Sequence, residues 1–117
     1  MPIEQLAIKK EILPQKNITL FHLTGNLDAH TFELLQDALN EAFSAGRYNI
    51  LLNVSEVPYM SSAGAGVLIG GFTEAENNGG KLVIYGMRSE VRNVFSTLGI
   101  LDFFPVFDDR NSAVEAV

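Results

Sequence analysis

The chain of 117 residues has a formal net charge of -6, and 47% of its residues are hydrophobic and 19% charged. This composition is typical of a globular protein, and the length favours one domain over residues 1–117. The acidic balance disfavours binding to nucleic acid or to an anionic membrane surface. The absence of cysteine excludes disulfides, thiolate catalysis and sulfur-ligated zinc. Because the sequence shows no secretory signal and no apolar run of about 20 residues, we expect a cytoplasmic protein.

The first part of the chain predicts a β-hairpin followed by a helix. Alternating apolar residues indicate strands over residues 5–12 and 18–24. From Asp28 the apolar spacing changes to that of an amphipathic helix, for which Asp28 or Thr31 provides the cap and Gly46 the end. The apolar stripe of this helix consists of Phe32, Leu35, Leu39 and Ala42.

The rest of the chain alternates strands with helices. Residues 48–54 are almost continuously apolar, which indicates a strand covered on both faces at the centre of a sheet. The pattern then predicts a helix at 62–77, a strand at 81–85, a helix at 89–98, an edge strand at 103–107 and helical turns at 111–117. This order predicts an α/β fold with right-handed crossovers, whose mixed central sheet has about four to five strands and packs against about four helices.

A pair of serines marks the turn between the central strand and the second helix. A hydroxyl at Ser61 or Ser62 would lie beside unpaired backbone N–H groups and the positive end of the helix dipole, where a phosphate is stabilised. Serine is also a preferred N-cap, so Ser61 alone has a structural explanation. The Gly-any-Ser-any-Gly elbow of serine hydrolases is absent, so the pair is interpreted as a modification site and not as a nucleophile.

The predicted second helix contains four glycines, which are Gly64, Gly66, Gly70 and Gly71. Each costs about 1 kcal/mol relative to alanine in a helix interior. Close packing of the helix on the sheet is the simpler explanation, because a missing Cβ lets two backbones approach. The functional explanation is a bare helix face that admits the backbone of a partner. Both explanations can hold at once.

Three segments of the chain together resemble the STAS domain of anti-sigma factor antagonists. Residues 23–31 are similar to the family's motif of Gly, any residue, hydrophobic residue and Asp, which leads into the first helix. Residues 51–66 are similar to its signature, a strand followed by Asp-Ser-Ser/Ala-Gly-hydrophobic-Gly. Residues 98–107 resemble its C-terminal portion. The resemblance covers nearly the whole chain.

The resemblance implies a regulatory binding module and not an enzyme. It implies that the chain binds an anti-sigma factor, which is a serine kinase with a histidine-kinase-like ATPase fold. It further implies that the kinase phosphorylates Ser62, that phosphorylation separates the two proteins, and that a serine phosphatase reverses the modification. The residues expected to contact the partner are Asn26, Asp28, His30, Tyr59, Met60, Ser61, Ser62, Ala63, Gly64 and Ala65.

Two positions depart from the family pattern. Ser61 stands where the family usually has an aspartate before the phosphoserine, and Asn53 stands where the preceding strand usually has one. Three outcomes therefore stay open: slower phosphorylation of Ser62, phosphorylation of Ser61 instead, or no phosphorylation. The alternative function is that of a STAS subunit without a switch, in a signalling scaffold or in a lipid or anion transport complex.

The sequence predicts no catalytic residue, cofactor or metal. His22 and His30 are the only histidines, and they fall on a strand and at a helix start, too separated to predict a metal site. The glycines at Gly64 and Gly66 match neither the dinucleotide fingerprint nor the lysine-bearing phosphate loop.

Overall fold

The first two strands form an antiparallel hairpin, as their alternating apolar residues predict. In the computed structural model, which describes residues 6–117, β1 (Ala7–Leu13) pairs with β2 (Ile18–Thr24) along its whole length. The predicted start of the first strand at Gln5 lies outside the described residues. The connecting turn places Lys16 and Asn17 at φ 59 and 54, the left-handed conformation that tight hairpins use.

Three further strands extend the hairpin into a mixed sheet. β3 (Asn49–Glu56) pairs in parallel with β2, β4 (Lys81–Tyr85) pairs in parallel with β3, and β5 (Val106–Phe107) pairs in parallel with β4. Within residues 6–117 the sheet has five strands in the order β1-β2-β3-β4-β5. The central position predicted for β3 is confirmed, and its apolar residues Ile50, Leu51, Leu52 and Val54 are fully buried.

Four α-helices cover the two faces of this sheet in the part of the chain that the structure describes. α1 (Phe32–Ser44), α2 (Ser62–Asn77) and α3 (Ser89–Thr97) pack on one face. α4 (Arg110–Ala116) packs on the other, where Ala113 lies against residues such as Leu20, Leu51 and Val83. The predicted bounds of β2, α2 and β4 are confirmed, and between residues 6 and 117 no helix has the length and apolarity needed to cross a bilayer.

The C-terminal segment differs most from its predicted structure. The strand predicted at 103–107 is reduced to Val106–Phe107, because Leu101–Phe103 forms a 3-10 turn. Within that turn Phe103 is 41% exposed and its ring packs against Phe72, with ring centroids 4.9 Å apart. Phe104, one residue further on, is buried. The run of apolar residues therefore forms a turn and a short edge strand instead of one longer strand.

Charged side chains fasten α4 to the hairpin. The Arg110 Nη2 atom donates to Glu11 Oε2 at 3.0 Å, and the Asp109 carboxylate caps the helix by accepting from the Ser112 N–H at 2.8 Å. At the other end of the helix, Lys16 Nζ donates to the carbonyl oxygens of Val114, Glu115 and Val117. A cation at the C-terminal carbonyls complements the helix dipole, so both ends of this short helix are stabilised by charge.

The contacts of the Glu11 carboxylate with His22 and Arg110 predict a pH-dependent contribution to the stability of the fold. Hydrogen bonds from His22 and Arg110 hold the pKa of Glu11 below its usual value. A carboxylate whose pKa is lowered by folding stabilises the fold above its unfolded pKa, and this contribution is lost as the pH falls through the folded pKa. We expect Glu11→Gln to lower the free energy of unfolding at about pH 7, and the deficit to shrink towards about pH 3. Urea unfolding at both pH values measures it, and an equal deficit at both would contradict the prediction.

Candidate functional site

Two loops at the carboxyl edge of the sheet are joined by backbone hydrogen bonds. The Leu27 N–H donates to the Tyr59 carbonyl at 3.1 Å, and the Ser61 N–H donates to the Leu27 carbonyl at 3.0 Å. Leu27 and Met60 thereby form a parallel bridge beyond the end of the sheet. The Gly25 N–H also donates to the Glu56 carbonyl at 3.0 Å. The β2–α1 loop and the β3–α2 loop therefore form one continuous surface.

The serine pair divides into a capping residue and an exposed one. Ser61 is the N-cap of α2, with its backbone extended and its Oγ atom accepting from the Gly64 N–H at 3.5 Å. Its carbonyl oxygen accepts from the Ala65 N–H at 3.0 Å. Ser62 is the first residue of the helix and its side chain is exposed. The two hydroxyls thus differ in what they do, although they are adjacent in the sequence.

The neighbouring loop holds Asp28 in a turn of its own. The Asp28 Oδ1 atom accepts from the His30 N–H at 2.9 Å, and Thr31 Oγ1 accepts from the Asp28 N–H at 3.0 Å while donating to the Asn26 carbonyl at 2.7 Å. α1 begins after Thr31, whose side chain points back into the loop instead of capping the helix. Asp28 is half-buried in this loop, and His30 is exposed.

The structure brings the predicted contact residues together but does not expose all of them. His30, Tyr59 and Ser62 are exposed, with Tyr59 at 50%. The residues that are half-buried are Asn26, Asp28, Ser61 and Ala63.

The expectation that Met60 contacts a partner is wrong for its side chain. Met60 is fully buried, because the backbone bridge to Leu27 turns its thioether into the core beneath α2. Gly64 and Ala65 are also buried, since they lie on the face of α2 that packs against the sheet and the β2–α1 loop. Met60, Gly64 and Ala65 therefore lie beneath the surface of the site, and none of them presents a side chain to a partner.

The four glycines of α2 fall into two classes. A Cβ atom at Gly64 would lie 2.6 Å from the Leu27 carbonyl oxygen, and one at Gly71 would lie 2.9 Å from Leu39 Cδ1. Close packing explains these two. At Gly66 and Gly70 a Cβ atom would meet nothing within 4 Å in the described part of the chain, so packing does not require glycine there. Gly66 and Gly70 instead open one side of a mixed polar and apolar groove between α1 and α2.

A second groove, which the sequence did not predict, lies beside Ser62. Its volume is ≈ 250 Å³, and it is lined by Ser62, Asn93, Val94, Thr97 and Leu98. The predicted helix over 89–98 ends at Thr97, and Leu98 after it is 44% exposed instead of packing with Val91 and Phe95. Leu98 thus belongs to the surface beside Ser62 and not to the buried face of the helix. The sequence signal for this exposure was the position of Leu98 at the very end of the predicted helix.

The two histidines lie on different elements of the structure. His22 lies on β2, hydrogen bonded to Glu11 and to Asn53, and His30 lies in the exposed turn after Asp28. Among residues 6–117 no group of three potential metal-ligating side chains is found.

The fold and the serine turn together identify the class of domain. Residues 9–113 match the STAS domain family, and the chain belongs to this family. The solved structure of the Bacillus cell fate determinant SpoIIAA in the phosphorylated form aligns with a TM-score of 0.72 and 23% identity, over 94% of this chain and 98% of that one. The α/β fold class predicted from the sequence is thereby confirmed.

Two relatives of similar sequence are named anti-sigma factor antagonists. The chain is 23% identical over 110 residues to the anti-sigma F factor antagonist of Paenibacillus polymyxa, which covers 93% of this chain and 94% of that protein. It is 29% identical over 82 residues to the anti-sigma-B factor antagonist of Staphylococcus aureus, which covers 70% of this chain and 76% of that protein. Their names describe regulatory binding proteins and not enzymes.

The division of the glycines predicts opposite effects of the same substitution at two positions. Gly64→Ala should destabilise the protein by about 1–3 kcal/mol, because the added methyl group meets the Leu27 backbone. Gly66→Ala, two residues along the same helix, should stabilise it by about 0.5–1 kcal/mol, because helix propensity improves and no clash arises. Urea unfolding of both variants tests this difference. Destabilisation by Gly66→Ala would show that its Cβ position is not open.

Proposed function

We propose that this chain is an anti-sigma factor antagonist switched by phosphorylation of Ser62. In its unphosphorylated form it binds an anti-sigma factor that is a serine kinase with a histidine-kinase-like ATPase fold. Phosphorylation by that kinase separates the pair, and a serine phosphatase restores binding. The names of the similar proteins support the antagonist role, and the exposed position of Ser62 at the start of α2 is the observation that supports the switch.

The geometry favours Ser62 over Ser61 as the modified residue. Ser61 Oγ accepts the hydrogen bond that caps α2, so its modification would disturb the helix start. Ser62 lies in the first turn and is exposed, where a kinase can reach the hydroxyl and the helix dipole stabilises a phosphate. The cap role also accounts for Ser61 in place of the family's aspartate, because both residue types cap helices well.

A phosphate on Ser62 would act mainly by changing charge. It adds about -1.5 to -2 units of charge to a chain whose net charge is already -6. Ser62 lies at the rim of the groove that Val94 and Leu98 line. A partner side chain seated in that groove would have to approach a doubly charged, strongly hydrated group, which is unfavourable. The fold itself need not move for binding to be lost.

The contact surface is proposed to extend over both joined loops. Tyr59 offers an exposed aromatic ring on the β3–α2 loop, and His30 an exposed imidazole on the β2–α1 loop. The half-buried residues Asn26, Asp28, Ser61 and Ala63 lie between or beside them. A cytoplasmic location is part of this proposal, since the partner kinase requires ATP.

The departures from the family pattern favour one other function. With Ser61 in place of an aspartate, the serine turn lacks a carboxylate that would orient the hydroxyl or contact a kinase, and Asn53 replaces a second aspartate on β3. A STAS subunit without a switch, in a signalling scaffold or a lipid or anion transport complex, would tolerate this loss. Copurification from cells with and without phosphatase treatment separates the two functions, because only the switched form gains a kinase partner after treatment.

Substitution of Ser62 tests the switch directly. Ser62→Asp should weaken binding of the copurified kinase at least about tenfold, because it places charge at the groove, whereas Ser62→Ala should preserve binding and abolish phosphorylation. Ser61→Ala is the matched control and should leave the phosphorylated position unchanged. Calorimetric titration and mass-spectrometric site mapping provide the two readouts. Equal affinities of the Asp and Ala variants, or phosphate on Ser61, would contradict the assignment.

Substitution of Tyr59 tests how far the proposed contact surface extends. Tyr59→Ala should weaken kinase binding by about 1–3 kcal/mol, because exposed aromatic residues at the centre of an interface often dominate affinity. Leu34→Ala removes a similarly exposed apolar side chain on α1, outside the joined loops, and should leave the affinity unchanged. Titration of both variants against the same kinase preparation measures the difference. An equal loss for the two variants would place the interface elsewhere.

A further inference from the structure

β3 contains a bulge just before the loop that leads to Ser62. His22 lies opposite Asn53, but Thr24 lies opposite Glu56, so β3 uses one more residue than β2 over this stretch. A bulge leaves an extra residue whose backbone cannot join the ladder and bends the strand. The bulge lies immediately before residues 57–61, so it can influence the direction of the segment that ends at the serine turn.

The Asn53 side chain takes up the hydrogen bonds of this bulge. Its Oδ1 atom accepts from the Ser55 N–H at 3.0 Å and from Ser55 Oγ at 2.7 Å. These two bonds fix which end of the amide carries the oxygen, since a backbone N–H can only donate. The Nδ2 atom then lies 2.9 Å from His22 Nδ1 on the neighbouring strand and donates to it.

The Asn53 amide in turn determines which ring nitrogen of His22 carries the proton. Because Nδ1 accepts a hydrogen bond, it carries no proton, and the ring proton is on Nε2. The Nε2 atom donates to Glu11 Oε1 at 3.0 Å. The imidazole is thus neutral and held at both nitrogens.

Protonation of His22 at Nδ1 would place two hydrogen-bond donors, this N–H and the Asn53 Nδ2–H, opposite each other, which is repulsive. The Asn53 amide could relieve this only by rotating, which would remove the oxygen from both Ser55 donors. Charged groups of both signs surround the ring. On β1, Glu11 favours a cationic ring, while Lys9, opposite His22 in register, opposes it. Arg110 of α4, bonded to the same carboxylate, also opposes it, and Tyr85 of β4 lies beside Asn53.

We propose that His22 and Asn53 form a proton-sensitive brace on the β3 bulge. With His22 neutral, the amide of Asn53 holds Ser55 and the bulge is rigid. With His22 protonated, Asn53 releases Ser55 and the bulge loosens ahead of the serine turn. An aspartate at position 53 would remove this sensitivity, because a carboxylate accepts from Ser55 and from a protonated Nδ1 at the same time.

Nuclear magnetic resonance on the intact protein tests the brace. Ring ¹⁵N shifts of His22 report its protonation, and hydrogen exchange of the Ser55 amide, relative to its intrinsic rate at each pH, reports the bulge. As His22 gains a proton, exchange at Ser55 should accelerate about fivefold to tenfold. Exchange at Leu51, buried at the centre of β3, should stay constant and thereby show that the fold remains intact.

Asn53→Asp is the matched variant, and the pH dependence of exchange at Ser55 should disappear in it. Three results would overturn the proposal. The first is a neutral His22 with its proton on Nδ1. The second is protonation of His22 in the wild type without faster exchange at Ser55. The third is acceleration of equal size in Asn53→Asp.

Discussion

The backbone pairing of Leu27 with the segment before α2 is the constraint on which the site depends. Leu27 bonds to Tyr59 through its N–H and to Ser61 through its carbonyl, and the same carbonyl oxygen would lie only 2.6 Å from a Cβ at Gly64. Glycine at this position lets α2 start directly against the neighbouring loop. Ser61 and Ser62 are therefore placed by backbone contacts, which a change of surface side chains does not alter. A rigid support of this kind suits the proposed switch, in which charge on Ser62 acts without a change of shape.

The main elements could be predicted from the sequence because local signals and burial agree there. The apolar run of β3 reflects a strand covered on both faces, and the stop after Asn77 reflects a glycine turn at Gly79, whose φ is +80. Predictions were weaker where tertiary contacts outweighed the local pattern. The apolar run at 103–107 favoured a strand, but the packing of Phe103 on Phe72 accompanies a turn instead.

The serine turn could be located from the sequence, but the burial of each of its residues could not. The sequence located the serine turn, yet it did not distinguish buried Met60 from exposed Tyr59, because both are apolar residues of one short loop. That distinction depends on the bridge to Leu27, more than thirty positions away in the chain. The groove beside Ser62 depends on α3, which is equally distant in sequence, and so no local pattern could reveal it.

The attachment of α4 to the hairpin has a consequence for how the chain is made. Leu13, Ile18 and Leu20 lie on the hairpin, yet their cluster includes Ala113, and Lys16 bonds to carbonyl oxygens some hundred positions later. Contacts of such long range form late. On the ribosome, this face of the hairpin stays open to water until residues 110–116 have emerged. The nascent domain is then exposed to aggregation until α4 has been made, and packing of that helix on the hairpin ends the exposure.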